Sequence, residues 1–261
     1  MTAAAALTVA CSLTSLDGLS GGPSDTPRPA DDARAGDAAA DAVADAPPRA
    51  DDAGTDAFTT SCATAPTGAF CDDFELGLVN WEIKSSAGNA MVLDALDSVS
   101  PTHSALSMVA SPGMSCLSRT FLGSPTTIEV EADVRVDAQS LSGANYDMFA
   151  LGASGAANLA VQLRLGVLEF DEDILLGDGG KEEKFTTTDY KVDAAWHHIR
   201  WTNQLGPTTA EAVIYVDGTR VGSTLANPVD FKAPLLLELG DCTISSVPWK
   251  IRFDNVVVVT K

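Results

Sequence analysis

Positive charge is scarce in this chain. Sixteen Lys and Arg stand against 36 Asp and Glu in 261 residues, a net charge of −20. So acidic a balance repels polyanions and excludes nucleic acid as a partner. It fits a solvated extracytoplasmic protein, or one that holds divalent cations. Aromatic residues make up only 6%, which leaves few rings for a sugar-stacking platform. The five cysteines include no C-x-x-C pair and no Cys/His cluster at zinc spacing. No Ser/His/Asp order is present, and the one Gly-rich loop, Gly177-Asp178-Gly179-Gly180, is acidic and would repel phosphate. No run of about 20 apolar residues follows Cys11, so no later segment reads as a membrane-spanning helix.

What is present falls into two textures. Residues 1–60 hold ten Asp, three Arg and no aromatic residue before Phe58, in a background of Ala, Pro, Gly and Thr. Residues 61–261 hold all four Trp, all three Tyr and every His, a usual length for one all-β sandwich. Residues 12–60 lack the apolar side chains that offset chain entropy and are expected to be a disordered linker. A flexible coil of that length spans roughly 40 Å r.m.s..

Beyond residue 61, fifteen short β-type runs are separated by Gly, Pro, Asn, Asp and Ser. They include Ser115–Leu122, Thr127–Asp137, Val167–Phe170, Lys184–Thr188, Trp196–Thr202, Ala210–Val216 and Leu235–Leu239. Many strands without helical periodicity mean a sandwich or barrel. Ile128, Val130, Ala132, Val134 and Val136 alternate with Glu129, Glu131, Asp133, Arg135 and Asp137, so that strand has one buried and one wet face. Asp217-Gly218 between apolar runs predicts a tight hairpin, because both central residues of a type I′ turn need positive φ.

Three motifs carry a resemblance. The stretch W-H-H-I…I-Y-V-D-G-x-x-V-G from Trp196 to Gly222 resembles the central hairpins of concanavalin A-like, or laminin G-like, jelly rolls. Phe70-Cys71-Asp72-Asp73-Phe74-Glu75 with Trp81 resembles their opening strand, and Phe253-Asp254-Asn255-Val256 their closing one. The resemblance covers about residues 68–260. It implies an all-β, two-sheet antiparallel jelly-roll sandwich over residues 61–261, with first and last strands paired. Residues 1–11 end in Leu7-Thr8-Val9-Ala10-Cys11, similar to a bacterial lipobox in which Cys11 is lipidated. Thr8 stands where that motif prefers Leu, and no Lys or Arg precedes Cys11, so the start is read as truncated. With the acidic linker, the whole is similar to surface lipoproteins of myxobacteria-like bacteria. That implies a lipid-anchored extracytoplasmic protein at the outer membrane or surface of a Gram-negative cell.

Four groups of residues could carry chemistry. Pairing of the terminal strands would gather Asp72, Asp73, Glu75 and Asp254, and related carbohydrate-binding modules hold a structural calcium at such a place. Hard oxygen ligands suit Ca²⁺. Asp171-Glu172-Asp173 with Asp178 reads as a solvated acidic loop. Glu129, Glu131 and Asp133 share one strand face at the i, i+2, i+4 spacing of laminarinase-type glycoside hydrolases. Retaining hydrolysis needs two carboxyl groups about 5–5.5 Å apart. Here the middle and last acids are exchanged relative to that family, its flanking Gly and Trp are absent, and a polar strand face is the plainer reading. His197 and His198 point to opposite strand faces and cannot share one metal through a single face.

Setting Cys11 aside, four cysteines allow three pairings. Cys62–Cys71 with Cys116–Cys242 is preferred, because each links plausible neighbours in a sandwich. Loop-closure entropy puts their worth at about 2.7 and about 4.9 kcal/mol. The expected function is a lipid-anchored binding or adhesion module for a polysaccharide or surface protein, without catalysis. If it binds sugar, Tyr146, Phe149 or Tyr190 would stack on the ring. The alternatives are a passive envelope spacer or a laminarinase-type glycoside hydrolase.

Overall fold

The computed structural model describes residues 61–110, 112–143, 145–153, 159–175, 181–205, 210–226, 234–245 and 247–261. Cys11, the linker 12–60 and the loop 177–180 with Asp178 lie outside them. The described elements are one helical turn, α1 (Ser61–Thr64), and fifteen strands. In chain order these are β1 (Phe70–Asp72), β2 (Glu82–Ser85), β3 (Ala90–Asp94), β4 (Ser104–Val109), β5 (Gly113–Phe121), β6 (Thr127–Val136), β7 (Tyr146–Ala153) and β8 (Leu159–Arg164). They continue with β9 (Val167–Leu175), β10 (Lys181–Lys191), β11 (Trp196–Gln204), β12 (Ala210–Val216), β13 (Thr219–Ala226), β14 (Leu235–Ser245) and β15 (Trp249–Thr260).

Two antiparallel sheets form the sandwich. One runs β13-β12-β11-β6-β15-β4-β3, with β1 also paired to β15; the other runs β10-β9-β8-β7-β14-β5-β2. The alternation in β6 acts as expected: its five apolar residues are buried and the charged residues between them are half-exposed. Trp201, Phe149 and Phe253 meet across the interior, with Phe149 centred 6.0 Å from Phe253 and 6.4 Å from Trp201. Tyr146 and Phe149 therefore belong to the core and cannot stack on a sugar. Tyr190 is half-buried and packs edge-on against His197. Asp217 and Gly218 have φ of 49° and 78°, as a type I′ turn demands.

The first and last strands pair, Phe70 opposite Val258 and Asp72 opposite Val256. β15 alternates at first, with Trp249, Ile251 and Phe253 buried and Lys250 and Arg252 more exposed, and is then buried without a break from Phe253 to Val258, as a strand covered on both faces can be. A bulge between Asp254 and Val257 interrupts its register with β6. Before the bulge β15 pairs with β4, and after it with β1.

Two stretches are more ordered than the sequence predicts. Asp171-Glu172-Asp173 is not a solvated loop: β9 and β10 are longer than expected, and Asp171, Glu172 and Asp173 lie inside β9, paired with Phe185, Lys184 and Glu183. Glu172 is only 2% exposed, with Lys184 Nζ 3.5 Å from its carboxylate. Cross-strand pairing on both sides of β9 outweighs the low strand preference of acids. Likewise β14 runs on to Ser245, which carries Cys242 to Cys116. The bonded pairs are Cys62–Cys71 and Cys116–Cys242.

Cys116–Cys242 closes a loop of 126 residues, so it constrains the unfolded chain far more than Cys62–Cys71 does. Replacing both Cys116 and Cys242 with Ser is expected to lower the unfolding free energy by about 3–5 kcal/mol, and the Cys62/Cys71 double variant by less. Guanidinium denaturation of the full chain measures this; equal losses would contradict the loop-closure account.

Candidate functional site

The three acids of β6 face outward on the eight-stranded sheet, and β11 meets each with a polar side chain. Register sets Thr202 opposite Glu129, Arg200 opposite Glu131 and His198 opposite Asp133. Thr202 Oγ1 donates to Glu129 at 3.1 Å. His198 Nδ1 lies 2.9 Å from Asp133, and its Nε2 lies 3.6 Å from Glu131. From the other side, Asn255 Nδ2 donates to the second Asp133 oxygen at 2.8 Å. Hydrogen bonds to Asp133 and Glu131 push His198 up to about 10, against the penalty of its partial burial. The His198 hydrogen bond, with the charges of His198 and Arg200, holds Glu131 below the usual carboxylate range. A sugar-cleaving acid needs the reverse, a carboxyl raised so that it keeps its proton. His197, on the other face, lies between Asp217 at 2.8 Å and Asp193 at 3.0 Å.

Beside this ladder lies a polar depression of about 410 Å³, lined by Glu129, Arg200, Thr202, Gln204, Glu211, Val213, Tyr215 and Arg220. The Arg200 guanidinium sits 4.2 Å from the Tyr215 ring centre, a cation–π contact that fixes both side chains. Arg220 Nη2 lies 3.8 Å from Glu211. Of these residues the sequence reading singled out only Glu129. The others were legible in principle, because strand alternation across the Trp196–Gly222 hairpins puts Arg200, Thr202, Tyr215 and Glu129 on one face.

The terminal-strand acids have other work. Asp72 accepts from the Phe74 N–H at 2.9 Å, Trp81 Nε1 at 2.9 Å and Asn80 Nδ2 at 3.1 Å. Asp254 accepts from the backbone N–H groups of Val99, Ser100 and Asn255. Glu75 is partly buried, yet hydrogen bonds from Thr102 and His103 hold it down at about 2. Ser100 Oγ lies 3.1 Å from Glu75 and 3.2 Å from the Asp73 carbonyl, so it gathers three of the four acidic residues. They are gathered around N–H and O–H donors, not as a cage of oxygens. Among the described residues no three His, Cys, Asp or Glu side chains are placed to hold a metal ion. These residues therefore do not fit the expected calcium. EDTA is expected to leave the melting temperature unchanged, and a rise of several degrees on adding calcium would show that an oxygen cage does form.

The seven-stranded sheet presents a second acidic region, of which the sequence showed only Asp171-Glu172-Asp173. Asp147 of β7 is pushed up to about 8 by burial and by the charges of Asp241, Asp171, Asp173 and Glu238. Asp241 is raised as well, chiefly by burial. Gln162 and Glu169, paired across β8 and β9, are each 2% exposed. The signal was hidden because Asp147 and Asp241 are 94 positions apart in sequence and meet only through β7–β14 pairing.

No family model matches the chain, and no curated protein matches it. Among solved structures, cellulose-induced protein Cip1 is similar at a TM-score of 0.55 and 14% identity, covering 74% of this chain and 97% of that one. Botulinum neurotoxin binding domains, one in complex with rat synaptotagmin II and one of type C described with two ganglioside molecules, align at a TM-score of 0.46, with 9% and 11% identity. There the match covers 69% of this chain and 43% of those chains. At 14% identity Cip1 shares the jelly-roll fold.

Two groups give the fold a pH dependence of defined sign. Asp147 keeps its proton to about pH 8 in the fold, against 3.8 as the reference value. Its contribution is complete below pH 4 and is lost as pH rises through 8. His198 stays protonated to about pH 10, against 6.5, so its share is complete below 6.5 and is lost on rising through 10. Stability is therefore expected to fall from pH 5 to pH 10. Asp147→Asn should flatten the acidic half of that profile and His198→Asn the alkaline half, read as melting temperature against pH.

Proposed function

We propose that this chain is a non-catalytic binding module displayed outside the cytoplasm. A lipid on Cys11 anchors it, residues 12–60 tether it, and the polar face of its eight-stranded sheet takes a polysaccharide. The lipobox and acidic linker support the anchor. Two disulfides fit an oxidising compartment. No helix among the described residues is long and apolar enough to cross a membrane.

The observation that carries the binding reading is the depression beside the ladder. Sugar hydroxyls both donate and accept, and its walls offer both in fixed positions: Arg200, Arg220 and Gln204 donate, while Glu129 and Glu211 accept. Arg200 is held over Tyr215 and Thr202 against Glu129 before any ligand arrives, which lowers the entropy cost of binding. Glu131, held ionised beneath His198, is suited to charge pairing and not to proton donation.

The test is retention of the full chain on a polysaccharide panel in affinity electrophoresis. Cellulose leads the panel because Cip1 is described as cellulose-induced. Retention by at least one polysaccharide is expected. Arg200→Ala and Tyr215→Ala should each weaken it about tenfold or more, while Glu131→Gln leaves it. Release of reducing ends from the retained polysaccharide would overturn the non-catalytic reading. Absence of retention on every polysaccharide would overturn the glycan.

A further inference from the structure

Among the described residues the arginines are few, and nearly all are already engaged. Arg135 meets Asp97, Arg164 lies 3.8 Å from Glu169, Arg220 lies 3.8 Å from Glu211, and Arg252 is held by Asp94 and Asp137. Arg119 donates to the Asn80 carbonyl and lies over the Phe70 ring. Arg200 is the exception. Among the described residues its guanidinium has no hydrogen bond and no ion-pair partner, and its fixed contact is the Tyr215 ring, 4.2 Å away. With 36 Asp and Glu against 16 Lys and Arg, a cation left without an anion is the unusual state.

Its position makes it available. Register puts Arg200 opposite Glu131 on one side and Tyr215 on the other. The side chain lies over Tyr215 and lines the depression of about 410 Å³, while Glu131 has His198 as its partner. Arg200 is half-buried, and none of its unpaired nitrogens is buried, so a solute can reach them. A guanidinium that rests its face on a ring keeps its N–H edge free, and that fork matches the two oxygens of a carboxylate. A lone hydroxyl would use one donor and leave the charge unmet.

The surroundings limit how much negative charge can enter. The depression holds two arginines, Arg200 and Arg220, against two glutamates, Glu129 and Glu211. One anion is admitted there, whereas the net charge of −20 opposes a ligand charged at every residue. Gln204 and the Tyr215 hydroxyl line the same walls and suit sugar hydroxyls. Resting on the polysaccharide reading of this face, we propose that the bound glycan is a mostly neutral polymer with scattered uronic acid residues, and that the Arg200 fork takes one uronate carboxylate.

The test compares retention of the full chain on glucuronoxylan, a neutral xylan backbone with scattered glucuronic acid, and on the same polymer after its carboxyl groups are reduced to alcohols. Retention on glucuronoxylan is expected to be about tenfold stronger, the worth of a hydrogen-bonded charge pair. That comparison leaves the protein unaltered, so it stands whatever a variant does to folding. Arg200→Gln should lose about tenfold on glucuronoxylan but about twofold at most on the reduced polymer, where the contact is already gone. Arg200→Lys keeps the charge without the fork and should stay well below wild type on glucuronoxylan; full retention would overturn the fork. Equal retention on the two polymers, or an equal loss in Arg200→Gln on both, would overturn the uronate. Retention on cellulose without retention on glucuronoxylan would do the same and leave the polysaccharide reading intact, and no retention on any polysaccharide would remove both.

Discussion

The carboxylate of Asp254 is the point on which the sandwich closes. It is fully buried, and the N–H groups of Val99, Ser100 and Asn255 converge on it. Burial raises its proton affinity further than those bonds lower it, so the site is held by geometry and not by easy ionisation. The bulge beside this carboxylate also divides β15 into a half that pairs with β4 and a half that pairs with β1. Asn255, at a φ of 49°, makes that turn, a conformation Asn tolerates better than most residues. Removing the carboxylate would leave two N–H groups of the 97–103 connection and that of Asn255 without their acceptor, at a cost of about 1–3 kcal/mol for each one left buried. The closing strand and the connection before β4 thus share one acceptor.

With so few cations, the chain must choose where to pair its acids. The eight-stranded sheet receives most of the available partners: Arg252 meets Asp94 and Asp137, Arg135 meets Asp97, and His198 bridges Glu131 and Asp133. The seven-stranded sheet has fewer. Lys84 holds Glu238 at 3.1 Å and Lys184 holds Glu172, while Asp147 is relieved by keeping its proton. One sheet neutralises charge by pairing and the other in part by protonation. That division gives the two faces different chemistry at neutral pH, a set of fixed ions on one and a carboxyl able to donate on the other.

The fold was legible because its signals are local. Alternation in β6, Asp217-Gly218 and the spacing of turn residues placed all fifteen strands, and Ala210–Val216 matches its predicted ends. Errors arose where pairing overrides preference, as in β9, whose acids read as a loop until β8 and β10 flank them. The sites were less legible for the same reason. The ladder acids were visible on β6, but their neutralisation depends on β11 and Asn255. Tyr146 read as an exposed ring because β7 alone does not reveal that Trp249 covers it.

The polar depression is built from side chains that already hold one another: Arg200 lies over Tyr215, Thr202 donates to Glu129, and Arg220 sits near Glu211. A ligand there would exchange hydrogen bonds of similar strength but would enter a frame that is already fixed, which lowers the entropy cost of binding. That frame depends on the register of β11 with β6, which sets each polar partner opposite its acid. β6 is in turn held by β15 on both sides of the bulge that follows Asp254.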